Sequence, residues 1–405
     1  MLLLGVVLAA LTVALWLPNL VDLMALTWAA ARRRRGDGAR DGARHGDRHG
    51  AVETPRLLFL VPAHNESLLI EQCVRSLVNM DYPANSRRIV VIADNCTDDT
   101  ALLARRAGAE SLERFDTEQR GKPRALAWAI DQLDITRFAA CVVVDADTSV
   151  AAGFARGFAD IAPLDRIAAQ AYIGTMNEYD NWLTRLAGVL ARCRYDVTYR
   201  LRDAAGLHCP LTGNGMCIGR ALLERDGWQA FSLTENWELY ARYTAEGVPI
   251  RFAPNARLFT QQVRTMRQGH TQRSRWLAGR TSVLKEWALP IARSRAATAV
   301  DRFATLAELA ALSPVLHLSL ACVVALLALL LPAGWRAAIS LGALGSLASQ
   351  LVATCLVLAR HPHRLATLRA FARLPIYAGW RASVAITTLL LPGTGEWRKT
   401  DRHSI

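Results

Sequence analysis

Lysine is almost missing from this sequence: of 48 basic residues, only Lys122, Lys285 and Lys399 are lysines. So arginine-rich a composition reflects coding bias, and a single surface arginine therefore carries little information. Cysteine pairs are missing too. The eight cysteines are scattered and none forms a Cys-x-x-Cys pair, which argues against a zinc site or disulfide framework and fits a reducing compartment. Acid is in deficit, 35 residues against 48, giving a net charge of +13. No zinc-finger, RNA-binding or basic-zipper signature accompanies that charge, and much of it flanks apolar segments. Membrane topology explains it better than nucleic acid does, so no nucleic-acid partner is expected.

What is abundant is apolar sequence, at 52% of 405 residues, enough for one globular domain plus membrane segments. Residues 1–31 are nearly all apolar and end at Arg32-Arg33-Arg34-Arg35. Charge after the apolar core, rather than before it, predicts an uncleaved anchor that starts outside and leaves Arg32 onward in the cytoplasm. Residues 32–54 form a basic linker, Gly- and charge-repeating over 36–50, expected to be a flexible tether. An α/β domain is expected over 55–290, an interfacial helix interrupted at Pro290 over 291–312, and a transmembrane hairpin over 313–359. On the second span of that hairpin, Gly342, Ser346 and Gln350 fall four apart, a face suited to close packing. The remainder, 360–405, reads as a basic loop, an interfacial or re-entrant helix at 376–391 holding Arg381, and a cytoplasmic tail.

Within 55–290, strands and helices alternate, the mark of a largely parallel sheet covered on both faces. Leu57–Val61 and Arg88–Ala93 read as strands, Ser67–Met80 as an amphipathic helix, Thr97–Arg106 as a helix opened by Thr97, and Lys122–Leu133 as a third. The organising stretch is the apolar run Ala139–Val144, a buried strand that ends at Asp145-Ala146-Asp147. Ligands bind at the carboxyl ends of such strands, and two carboxylates there suit Mg2+ or Mn2+, which substrate phosphates also help to hold. Taken alone, an Asp-x-Asp could equally be a solvated turn.

Four further motifs follow the same logic. Pro62, His64 and Glu66 follow the first strand, where Pro62 stops the ladder and the polar residues could hold a base or ribose; a turn and helix cap is the plainer reading. Asp94 ends the second strand and could accept from a uracil imide. Lys122 opens a helix whose free amides favour anions, as phosphate would, or it is a solvated helix start. Thr234-Glu235-Asn236-Trp237-Glu238 brings carboxylates to a helix start, as a cap, as a general base, or both. Gln272-Arg273-Ser274-Arg275-Trp276 offers a guanidinium fork for a diphosphate beside an indole for a sugar, or a basic helix lying on anionic lipid.

In this order and at these separations the motifs resemble the membrane-bound family 2 glycosyltransferases, the group of the cellulose, chitin, hyaluronan and poly-N-acetylglucosamine synthases. The resemblance implies a GT-A (Rossmann-like) α/β fold in the cytoplasm with flanking transmembrane helices, and inverting transfer from a UDP-sugar to a lipid or glycan acceptor at a bacterial inner membrane. It implies Asp94 on the uracil, Asp145 and Asp147 on the nucleotide and its metal, Gln272, Arg275 and Trp276 on diphosphate and acceptor, and the loop with Gly213 and Gly215 near the acceptor sugar. One position departs. Where most relatives carry the aspartate that serves as base, this chain has Asn236, whose amide takes no proton at neutral pH. Glu235, or Glu238 one turn on, is then the expected base; the alternative is a silenced, membrane-tethered protein that binds nucleotide-sugar or glycan. Three expected spans are few for a polymer channel, which leaves room for a homo-oligomer or an export partner.

Overall fold

The computed structural model describes residues 1–34 and 54–390, so most of the linker expected at 32–54 and the tail with Arg398, Lys399 and Arg402 lie outside the described residues. The first helix, α1 (Leu2–Arg34), is apolar along its length and ends in arginines. The sheet begins with β1 (Leu57–Ala63), whose alternation sends Phe59 and Val61 to one core cluster and Leu58 and Leu60 to another. Both faces of the sheet are therefore covered. The helix α2 (Ile70–Val78) lays Ile70, Cys73, Val74 and Leu77 on the first cluster, the i, i+3, i+4, i+7 stripe of an amphipathic helix. Fully burying each such aliphatic side chain contributes about 1.5–3 kcal/mol.

The parallel half continues with β2 (Arg87–Asp94), α3 (Thr100–Arg106), β3 (Glu110–Arg114), α4 (Lys122–Gln132) and β4 (Ala140–Val143). Next come β5 (Thr148–Val150), α5 (Phe154–Ala159) and β6 (Ala168–Thr175). A helical run then comprises α6 (Trp182–Arg192), a π-helical stretch (Cys193–Tyr199) and α7 (Arg200–Ala205). The domain is completed by β7 (Met216–Gly219), α8 (Arg220–Asp226), α9 (Glu235–Ala245) and β8 (Ile250–Thr260). One mixed sheet of eight strands results, in the order β3-β2-β1-β4-β7-β6-β8-β5. The strands from β3 to β4 are mutually parallel, and β7 pairs antiparallel with both β4 and β6.

Several sequence expectations need correction. Pro62 does not end β1: pairing with β4 stops at Leu60, but the ladder to β2 runs on to Ala63, because a proline costs a bond only on the side its missing N–H would face. Thr97 does not cap α3, which starts at Thr100 behind Asp99; the Thr97 N–H instead donates to Asn65 Oδ1 at 2.8 Å. The short strands β3 and β5 were not expected, since Glu110–Arg114 carries mixed polarity and β5 has only three residues. From Ile250 to Thr260 the chain forms one strand, β8, with an irregular register against β6.

After β8 comes α10 (Met266–Arg293), a 28-residue helix that runs through Pro290 without ending there. A proline in the last turn forfeits one backbone bond, and the expected interruption falls instead between Arg293 and α11 (Ala299–Ala310). The apolar end comprises α12 (Pro314–Ala328), α13 (Ala333–Ala359), α14 (Arg364–Phe371) and α15 (Leu374–Leu390). Among the described residues α1 and α13 are long and apolar enough to cross a membrane; α11 and α12, bent by 81°, would make a third span only together. Alone, α12 is about 22 Å long, short of the roughly 30 Å hydrocarbon core. The packing face expected on α13 meets α1: Trp16 Nε1 donates to Gly342 O at 2.9 Å, Asn19 Nδ2 to Ser346 Oγ at 2.8 Å and Gln350 Nε2 to Asn19 Oδ1 at 3.0 Å. His317 on α12 completes this polar seam through Ser346 Oγ at 2.8 Å.

Candidate active site

The carboxyl ends of β1, β2 and β4 share one edge of the sheet, and the loops leaving them carry the site. Asn65 after β1 and Asn95 after β2 both hold left-handed backbone, φ 53° and 52°, which an asparagine tolerates better than most residues. They fasten the loops together: Asn65 Oδ1 accepts from Thr97, while Asn95 exchanges bonds with the Asp116 backbone at 2.9 and 3.0 Å. His64 Nδ1 lies 2.7 Å from Asp94 O, and the Glu66 N–H donates to the Thr100 hydroxyl at 2.8 Å while its carbonyl starts the turn into α2.

Asp94 is only 5% exposed and is paired with buried Arg114, whose Nη1 lies 2.6 Å from Asp94 Oδ1. Arg114 also reaches Asp116 Oδ2 at 2.7 Å. A cleft of about 590 Å³ opens beside them, with Phe115, Asp116 and Trp128 in its wall. Sequence reading named Asp94 but missed Arg114, Asp116 and Asn95; the parallel pattern of an asparagine closely following each of two strands was the available signal.

At the end of β4, Asp145 and Asp147 are partly exposed. Lys122 Nζ stands over Asp145 Oδ1 at 2.8 Å, over Glu235 Oε1 at 3.2 Å and over Gly213 O at 2.6 Å. An ammonium has three donors, so those of Lys122 are all engaged within the protein. Burial opposes the charge of Lys122, but the carboxylates of Asp145 and Glu235 outweigh it and raise the pKa above the ordinary amine value. Asp145 and Asp147 supply two oxygen donors, with no third His, Cys, Asp or Glu grouped with them among the described residues. That set fits a hard divalent ion that keeps waters and substrate phosphates as its other ligands.

Two buried amides hold the loop of Gly213 and Gly215 against this strand end. Asn214 Oδ1 accepts from Asp145 N at 3.1 Å and its Nδ2 donates to Thr148 Oγ1 at 2.7 Å, while Gln170 bonds Asn214 O at 2.8 Å and Thr212 N at 2.8 Å. Gln170 escaped sequence reading because it sits inside an apolar strand. Gly213 and Gly215 take φ of +92° and +67°, and a Cβ on Gly215 would come within 2.7 Å of both Leu258 and Ala171.

On α9, Glu235 is 8% exposed and faces Lys122, while Asn236 Nδ2 donates to Leu211 O at 2.9 Å. Glu238 lies elsewhere, its Oε2 accepting from Ser232 N at 2.8 Å. Thr234 occupies the cap position of α9 without making a capping bond, and its hydroxyl is buried and unpartnered, a departure from the expected cap. The cause is crowding, since Gly279 of α10 presses against the Thr234 side chain so closely that a Cβ there would lie 2.4 Å away. This close approach brings Arg275, one turn before Gly279, to the site. Burial lowers the Arg275 pKa, while the carboxylates of Glu235 and Asp145 counteract that. Arg275 and Gln272 make no hydrogen bond among the described residues, and Trp276 is 41% exposed beneath the Arg273 guanidinium, 4.8 Å from its ring centre. The structure thus gathers Lys122, Asp145, Asp147, Gly213, Glu235, Asn236 and Arg275, and leaves Glu238 outside.

Comparison with known proteins adds four findings. A family model described as glycosyltransferase like family 2 matches residues 55–279. A probable glycosyltransferase of Bacillus subtilis, YdaM, is 27% identical over 248 residues, covering 57% of each chain. The beta-monoglucosyldiacylglycerol synthase of a Nostoc species is 27% identical over 233 residues, covering 56% of this chain and 49% of that protein. The chain thus spans roughly half the length of these curated relatives. Among solved structures, a mannosyltransferase from Pyrobaculum calidifontis in complex with GDP-Man and Mn2+ aligns with a TM-score of 0.52 at 18% identity, over 92% of this chain and 100% of that one. The shared fold is mixed α/β of GT-A type, flanked here by long apolar helices.

Proposed function

The chain belongs to glycosyltransferase family 2, and on that premise we propose that it transfers a sugar, with inversion, from a UDP-sugar to a membrane lipid or lipid-linked glycan at the cytoplasmic face of a bacterial inner membrane. The observation that carries this reading is the convergence of Asp145, Lys122, Glu235 and the unpaired Arg275 at the end of β4, beside a loop held open by Gly213 and Gly215. The lipid side of the reading is supported by the apolar helices and by the glycolipid synthase among the relatives.

In the proposed reaction an acceptor hydroxyl attacks the anomeric carbon from the face opposite the diphosphate, the new C–O bond forms as the bond to the diphosphate oxygen breaks, and UDP departs. Arg275 has a fork-shaped cation to offer the diphosphate. Lys122, by exchanging a carboxylate for a phosphate oxygen, would add charge to the leaving group and free Glu235 to take the acceptor proton. Asp145 and Asp147 would hold Mg2+ or Mn2+, which when bound neutralises charge developing on the diphosphate. The Asn236 amide, tied to Leu211 O, would position the acceptor loop.

UDP release from a panel of UDP-sugars, with GDP-sugars as controls and Mg2+ or Mn2+ present, tests the reading in membranes. Turnover by the natural chain that is lost in Glu235→Gln supports the displaced base. Turnover only in Asn236→Asp would instead make the chain a silenced relative whose role is binding nucleotide-sugar or glycan, the second reading that Asn236 motivates.

A further inference from the structure

The helix α10 carries arginines on opposite sides. Arg273 lies about 200° around the axis from Arg275, at 100° per residue. Arg275 looks to Glu235 and Asp145, whereas Arg273 belongs to the side that meets α15. There Gly269, one turn before Arg273, abuts the Trp380 ring, with a Cβ at Gly269 reaching 3.0 Å from it. The next residue of α15 is Arg381.

Arg273, Arg280, Arg381 and Arg194 of the π-helical stretch form one cluster. The charges of Arg381 and Arg194 both act on Arg273 and on Arg280, and burial lowers the pKa of each of those two. Among the described residues one carboxylate faces the cluster: Glu308, whose charge acts on Arg280 and Arg194 while its carboxylate is ion-paired with Arg202 at 2.7 Å. Arg280 spends one N–H on Ala311 O. The Nε atoms of Arg273 and Arg381 and the hydroxyl of Ser274 are buried without a partner. Arg194 keeps solvent-accessible surface although protein surrounds it closely, so it is the member of the cluster that a solute meets first.

Four guanidinium groups and Arg202 thus share a single carboxylate, and the buried donors of Arg273, Arg381 and Ser274 stay unmatched. We propose that this cluster binds the phosphate of a membrane lipid on the side of α10 away from Arg275, with the Trp276 ring beneath Arg273 standing between the two. Guanidinium forks match phosphate oxygens in pairs, and Ser274 adds a hydroxyl. A lipid is favoured over a free anion because α15, the helix that carries Arg381, turns an apolar face outward at Ile376, Ile386, Leu389 and Leu390, which acyl chains can cover. The site requires no assumption about the transfer reaction and would stand if the acceptor were a soluble glycan.

The test uses the full chain in neutral detergent, titrated with short-chain phosphatidic acid, short-chain diacylglycerol or inorganic phosphate, with binding read by thermal shift and native mass spectrometry. Phosphatidic acid should bind one to one and stabilise the protein more than diacylglycerol or inorganic phosphate does, since a diacylglycerol held only as acceptor gains nothing from the cluster. The double variant Arg273→Gln with Arg381→Gln should bind it roughly tenfold more weakly, while Arg275→Gln should bind it as the natural chain does. Equal stabilisation by diacylglycerol would reduce the site to an apolar surface, and equal stabilisation by inorganic phosphate would make it a free-anion site; either overturns the proposal, as does unchanged binding in the double variant. Were the double variant misfolded by circular dichroism, Arg194→Gln, at an exposed position, carries the same expectation and the same refutation.

Discussion

Gly215 is the residue on which the loop between α7 and β7 turns, and its replacement separates two costs. At φ +67° an alanine is strained by about 1–2 kcal/mol, and its Cβ would also strike Leu258 and Ala171. Overpacking of that kind adds about 1–3 kcal/mol. Gly213 shares the positive φ, but its Cβ would meet only the Asn236 side chain at 3.6 Å. Gly215→Ala should therefore cost about 3 kcal/mol and Gly213→Ala about 1 kcal/mol by the same two contributions; denaturant unfolding in detergent measures both, and equal losses would mean that crowding at Gly215 relaxes freely. These two glycines were legible in the sequence, as was Lys122, whose scarcity marked it out. What Lys122 does was not legible. Its acceptors come from positions 145, 213 and 235, and only the sheet order, which sets β7 against β4, brings them to one nitrogen. Arg114 was invisible for the same reason: nothing local distinguishes it from dozens of other arginines until β3 lies beside β2 and Asp94 is found against it.

Elements were easier to read where periodicity was strong, as in α2, α4, β1 and β4, and harder where a segment was short or polar, as in β3 and β5. The α6 side of the domain meets the apolar helices through a cluster of Leu183, Leu186, Val315 and Tyr377 and through one buried carboxylate. Glu178, just before α6, accepts from Arg192 at 2.9 Å and lies 2.8 Å from His361 Nε2 at the end of α13, where Thr367 of α14 also touches the imidazole. Burial alone would raise the Glu178 pKa, but its bonds to Arg192 and His361 prevail and lower it. A carboxyl whose folded pKa lies below its unfolded one stabilises the fold fully above the unfolded value, about 4.5, and loses that contribution as pH falls through the folded one. Melting temperature should therefore drop on acidification below about pH 4.5, and Glu178→Gln should lower it at neutral pH while flattening the acid dependence. An unchanged slope in the variant would assign acid sensitivity to other carboxylates.

At the scale of the whole molecule, the arginines at the end of α1 and those of Arg360–Arg373 lie on sequence that the positive-inside rule places on one side of the bilayer, with the α/β domain between them in the chain. If α1 and α13 cross, the turn between α12 and α13 must emerge on the other side. Gly334 sits in the first turn of α13 and Gly153 just before α5, and at both a Cβ meets nothing within 4 Å, so a cysteine fits either site without rearrangement. The outward-facing Cys322 and Cys355 would first be replaced by serine. In intact spheroplasts a membrane-impermeant maleimide should then label Gly334→Cys at once and Gly153→Cys only after permeabilisation. Labelling of both from outside would turn the catalytic domain outward, away from the cytoplasmic pool of UDP-sugars, and the proposed reaction would lose its donor. Protection of both would mean that α12, about 22 Å long, and the bend before it return to the face they left, making the helical end of the chain a re-entrant platform rather than a crossing.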